Sequence, residues 1–173
     1  MKASRFLFAI AVGVVILVAA LLISVLLRFN MSPYQAEDTP EGVARNYLLA
    51  LQRKDYERAY HYLSTTLSGY PANVEQFASD IEQLASDVNR PPYDVNWYRE
   101  DVALTVGPTW LSGDEAGVTV VRTRIGSGNL VGGEPDTFTF YMGLRRENGV
   151  WKIQYAEGYW SDCWYYRSNP GCR

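Results

Sequence analysis

Two side chains stand out as able to move a proton: Glu157, near the C-terminal end, and His61, the only histidine. A carboxylate base must sit inside a fold, where burial raises its pKa toward neutrality. Glu157 follows Tyr155 at the strand parity of Trp151 and Ile153, which would aim it inward, so it is the best acid candidate. His61 follows Tyr60 on a helix whose apolar face uses Tyr60 and Leu63, and is expected to be a partly exposed helix histidine. Asp55, Asp94, Asp114, Glu115, Glu134, Asp136 and Glu147 fall in caps and turns, where a solvated role is the default. One histidine does not complete a Ser–His–Asp set. The expectation is a chain without catalytic residues, Glu157 and His61 being weak candidates only.

Other constellations point to structure or binding. Cys163 and Cys172 enclose Asn169-Pro170-Gly171, a turn sequence, and outside the cytoplasm such a pair is a disulfide. A metal centre needs three or four ligands, and a redox pair favours Cys-x-x-Cys, so neither is expected. The glycines at 126–133 precede no helix that could supply an N-terminus for phosphate, and no cofactor is expected. Arg122 and Arg124 share a strand face, with Arg145 and Lys152 on neighbouring strands. This is either an anion-binding stripe or a solvated outer face, and the second is expected. The segment from Tyr159 to Tyr166 holds five aromatic residues. Trp160 is expected to pack on the sheet. Trp164, Tyr165 and Tyr166 are adjacent and do not all point inward, so they are the interaction candidates.

What must position these groups begins with an anchor. Phe6–Leu27 is 22 residues without a charge. At about 1.5 Å per residue it makes roughly 33 Å of helix, enough for a ~30 Å hydrocarbon core. It is longer than a signal-peptide core and ends in bulky residues, so an uncleaved anchor is expected. Lys2 and Arg5 precede it, which keeps residues 1–5 cytoplasmic and places the domain outside a bacterial cell membrane. Beyond Arg28 lie 13 basic and all 19 acidic residues, a balance of −6 that argues against nucleic acid. Residues 28–38 lack apolar periodicity and read as a stalk.

The domain, 39–160, opens with helices. Thr39 caps, Pro40 takes the first helical position, and Val43, Tyr47, Leu48 and Leu51 form one face. Asp55 caps a second helix and Asn73 starts a third, with Val74, Phe77, Ile81 and Leu84 on one side. From Asp94 the period becomes two. The expected strands are Val95–Arg99, Val102–Val106, Gly117–Ile125, Thr137–Arg146 and Val150–Glu157. Their inner residues are Val121, Ile125, Phe138, Phe140, Met142, Leu144, Trp151 and Ile153. Asn148-Gly149 is a two-residue hairpin signal. Helices followed by antiparallel strands indicate an α+β domain, and residues 161–173 form a disulfide-stapled tail.

The run from Pro40 to Leu63, with Ala50-Leu51, Asp55-Tyr56, Ala59-Tyr60 and Leu63, resembles the opening of the nuclear transport factor 2-like superfamily, and Asn148 to Ile153 is similar to its last hairpin. The resemblance implies a cone of helices on a curved sheet and says little about function, because that fold serves enzymes and accessory domains alike. The function expected is a membrane-anchored, non-catalytic interaction subunit with a membrane or envelope protein partner. Its alternatives are an apolar-ligand carrier with a pocket beneath Tyr47, Phe140 and Trp151, and an isomerase or dehydratase using the cone interior.

Overall fold

The computed structural model describes residues 12–18, 33–86, 102–124 and 136–165. The chain divides into two units, Met1–Pro33 and Tyr34–Arg173. In the first, residues 12–18 are helical and exposed (α1). Among the described residues no helix is long and apolar enough to cross a membrane. The rest of the expected span Phe6–Leu27 lies outside the described residues, as do the strand expected at Val95–Arg99 and the glycine loop at 126–133.

The second unit is α+β. Helix α2 spans Pro40–Gln52 and starts where its cap directs: Thr39 Oγ1 accepts the Gly42 N–H at 3.1 Å and Pro40 fills the first turn. Its inner face buries Val43, Tyr47, Leu48 and Leu51. Lys54, at φ 56°, turns the chain into α3, Tyr56–His61, capped by Asp55, whose side chain accepts the Arg58 N–H at 3.2 Å. Helix α4, Val74–Ser86, is held at its start by Asn73, which accepts from Gln76 N, while Gln76 accepts from Ala72 N. Phe77, Ile81 and Leu84 are its buried side.

Among the described residues four strands follow in a plain antiparallel meander: β1 Val102–Ser112, β2 Glu115–Arg124, β3 Asp136–Glu147 and β4 Val150–Ala156. The β3–β4 turn has Asn148 at φ 52° and Gly149 at φ 85°, the left-handed pair that a two-residue hairpin requires. The free edge of β4 is covered by the chain after α3, with Ser64 N donating to Ile153 O and Ile153 N to Tyr62 O at 2.8 Å each. A last turn of helix, α5, covers Asp162–Tyr165.

Strand β3 has the expected parity, with Phe140, Met142 and Leu144 buried and Phe138 packed beside them. Strand β2 does not. Ala116, Val118, Val120 and Arg122 are buried, and Val121, expected inward, faces the other way. The adjacent valines at 120 and 121 fit either parity, and Arg122 made the truly inward one look polar. Ile125 lies outside the described residues. Strand β1 runs past its expected end at Val106 through a register shift between Val106 and Thr109, around Gly107-Pro108. The second unit starts at Tyr34, and residues 34–37 are docked on α2 and α3 by side chains described next.

Candidate functional site

The interior is filled by its own aromatic rings. Tyr47 and Phe140 are fully buried, and the Tyr47 hydroxyl donates to the Tyr159 carbonyl at 2.9 Å. Burial pushes the Tyr47 phenol above its ordinary range. Phe140 stacks on Tyr159 with centroids 4.8 Å apart. Among the described residues the buried polar side chains are Asn46, Ser64 and Arg122, none of them a carboxylate. Arg122, expected on the solvated outer face, is only 6% exposed, with Cζ 5.7 Å from the Phe138 ring centroid. It opposes the effect of burial on the Tyr159 phenol, which is raised on balance. Glu157 is not an interior acid. A register shift between Gly143 and Leu144 sends Tyr155 outward and Ala156 inward, the strand stops there, and Glu157 lies in the turn with its N–H on Tyr141 O.

A cleft of about 400 Å³ opens between residues 37–62 and β4. Val43 and Trp151 are its buried apolar lining, with Glu37, Asp55, Glu57, Arg58, His61, Tyr62 and Lys152 around them. Of the three expected ligand-binding residues, only Trp151 lines it. Glu37, Asp55, Arg58, Tyr62 and Lys152 are already engaged with partners in the chain. Glu37 Oε1 accepts from Tyr62 Oη at 2.6 Å and from Arg58 Nη2 at 3.0 Å, and Arg58 Nε donates to Tyr62 Oη at 3.0 Å. The Tyr62 hydrogen bond, with help from Arg58, outweighs partial burial and holds the Glu37 carboxyl below its ordinary range. Burial, then Glu37, pushes the Tyr62 phenol up to about 12. A carboxylate so stabilised is a weak base. His61, exposed, uses Nδ1 on the Glu57 carbonyl one turn back, so Nδ1 carries the proton. Lys152 donates to the His61 carbonyl, closing the C-terminal end of α3.

Exposed aromatics gather on the outer sheet face instead. Trp110, Gly117, Gly143 and Tyr155 are register partners in one row across all four strands. The two rings flank two residues without side chains, and Tyr141 stands beside them on β3. Trp110, Tyr141 and Tyr155 are 57%, 59% and 43% exposed. Nothing in the sequence marked this row, since the glycines that align it are far apart along the chain.

The C-terminal aromatics divide. Trp164, expected at an interface, has no exposed surface. It stacks on Phe77 at 5.1 Å and meets Trp160 edge-on at 4.9 Å. Helix α5 turns it inward, and Gly69 N donates to its carbonyl. Tyr165 is exposed, while Tyr166 lies outside the described residues. Cys163 is disulfide-bonded, and Cys172 also lies outside the described residues.

No protein-family model matches this chain, and no curated protein matches it. Among solved structures it is similar to a SEC-C motif containing protein from Rhodopseudomonas palustris, at 16% identity over 71% of this chain and 80% of that one, with a TM-score of 0.42. It is also similar to an NTF-2-like protein of unknown function from Shewanella oneidensis MR-1, at 10% identity over 66% of this chain and 90% of that one, with a TM-score of 0.40. At these scores neither likeness carries an argument about function, and the α+β class rests on the chain's own helices and meander.

Proposed function

We propose that this chain is a membrane-anchored, extracytoplasmic accessory domain of nuclear transport factor 2-like type, which works by docking onto a membrane or envelope protein. The observation that supports docking is where the aromatic residues lie. Tyr47, Phe140 and Tyr159 take up the interior in which a substrate or apolar ligand would sit, while Trp110, Tyr141 and Tyr155 are held in the open on the outer sheet face. Large rings with a polar edge are the residues that concentrate binding energy at protein interfaces. The anchor reading rests on Phe6–Leu27 and on Lys2 and Arg5 before it. Confinement to a membrane raises local concentration, which makes a modest contact area sufficient.

The test is to purify the wild type and a Tyr141→Ala, Tyr155→Ala variant from membranes in mild detergent. The variant is expected to keep its cooperative unfolding and lose a stoichiometric companion that the wild type retains. A wild type that purifies alone, or a variant that keeps the companion, contradicts docking through this face. Protease added to intact spheroplasts is expected to digest the domain, and protection until lysis contradicts the orientation.

A further inference from the structure

Residues 34–37 lie on the helices as a ligand lies in a groove. They belong to no helix or strand, and side chains of α2 and α3, with Tyr62 just beyond α3, hold them. Asn46, fully buried, grips the backbone of Gln35 from both sides: Oδ1 accepts Gln35 N–H at 2.7 Å and Nδ2 donates to Gln35 O at 2.9 Å. The Tyr34 ring lies 3.6 Å from Arg58 Cζ and 5.2 Å from Arg53 Cζ, and its hydroxyl donates to Asp55 Oδ2 at 3.1 Å. Glu37 is met by Tyr62 and Arg58. At Gly42 a Cβ would fall 2.0 Å from the Ala36 carbonyl oxygen, so only glycine lets the segment approach this closely. The contacts recognise a phenol, the backbone N–H and C=O of the next residue, and a carboxylate three residues after the phenol.

We propose that this groove is a peptide-recognition site, occupied in cis by residues 34–37, that accepts a partner polypeptide segment carrying the same Tyr-x-x-Glu chemistry. Charge selects the occupant. Two guanidinium groups seat the ring by cation–π contact, and a guanidinium and a hydroxyl seat the carboxylate, so an acidic tyrosine-bearing segment fits and a basic one does not. The chain's own segment is a tethered competitor, present at an effective concentration in the millimolar range for a short connection. Lifting it is a local opening, because Gln35, Ala36 and Glu37 are exposed and the hydrogen bonds named above that hold them come from side chains. Opening frees residues 34–38, ahead of the Thr39 cap, on the order of 17 Å of extended chain. The groove belongs to the helices and the aromatic row to the outer sheet face, so either site can fail its test without the other.

The probe is a fluorescein-labelled peptide of residues 33–38, Pro-Tyr-Gln-Ala-Glu-Asp, titrated by anisotropy into the full chain in detergent micelles. A Tyr34→Ala, Glu37→Ala chain is expected to bind it saturably and at least about ten-fold more tightly than the wild-type chain does. Replacing tyrosine by alanine in the peptide, or adding Asn46→Ala to the protein, is expected to weaken binding about ten-fold or more. Equal binding of the alanine peptide overturns the proposal, as does no binding by a variant that still unfolds cooperatively. A variant that loses cooperative unfolding also overturns it, since the segment would then be part of the fold. Wild-type dimers that the double substitution abolishes would make a second copy the occupant and overturn the assignment to another polypeptide.

Discussion

Trp164 donates its indole Nε1–H to Asp80 Oδ2 at 2.6 Å, which fastens the C-terminal segment to α4 from within the core. With the ring also stacked on Phe77, Trp164→Ala removes both the bond and a fully buried ring. The expected cost is about 3–5 kcal/mol, read as a lower midpoint in urea. A variant within 1 kcal/mol of wild type, roughly the size of an ordinary surface substitution, would mean that the tail is held elsewhere.

Asp80 makes that fastening sensitive to pH. Burial raises its carboxyl above the ordinary 3.8, and the Trp164 N–H only partly offsets this. A folded value above the unfolded one means that the contribution of Asp80 to stability is complete below 3.8 and is lost as pH rises through the folded value. Asp80→Asn keeps an acceptor for the indole and removes the charge. Its melting temperature is expected to exceed that of wild type at neutral pH, with the gap closing in acid. A variant that melts below wild type at neutral pH contradicts this.

Glu37 has the opposite sign. Its folded value lies below the ordinary 4.5, chiefly because of Tyr62, so its contribution is present above 4.5 and lost as pH falls through the folded value. Protection of the Gln35 amide from hydrogen exchange is expected to hold at neutral pH and collapse in acid. In Glu37→Gln the protection is expected to be weak at every pH. Undiminished protection in that variant would show that Asn46 alone secures the segment.

Two glycines separate a rigid obstacle from a movable one. A Cβ on Gly69 would fall 1.8 Å from the Cys163 carbonyl oxygen, and one on Gly117 would fall 2.0 Å from Trp110 Nε1. The first obstacle is backbone in a packed tail, so Gly69→Ala is expected to cost about 1–3 kcal/mol or more. The second is an exposed side chain free to swing away, and Gly117→Ala is expected to cost less. The pair is compared by urea denaturation, and the reverse order would contradict the account of how the tail packs.

Helices were legible in the sequence because their signals are local. Thr39-Pro40, Asp55 and Asn73 mark three starts, and Asn148-Gly149 fixes the last hairpin with only its two neighbouring strands as context. Face assignment on β2 was not legible, because Val120-Val121 suits both parities and the structure buries Arg122 against Phe138 rather than solvating it. Glu157 lost its inward parity to a register shift that arises between strands and leaves no mark on β4 itself. Trp164 was misplaced for a related reason. Among three adjacent aromatics the inward one is chosen by α5 and by Asp80, which is 84 residues away. The Tyr34–Glu37 contacts escaped because they are made by side chains scattered over two helices, while the segment itself has no periodicity.

The most direct test of docking through the outer sheet face is photo-crosslinking in intact membranes. A benzoyl-phenylalanine placed at Tyr141, and separately at Tyr155, is expected to give one discrete adduct with the same partner. Placed at exposed Thr65, in the loop after α3, it is expected to give none. Adducts of equal yield at all three positions, or at Thr65 alone, would contradict the claim that the row from Trp110 to Tyr155 is the working surface of this domain.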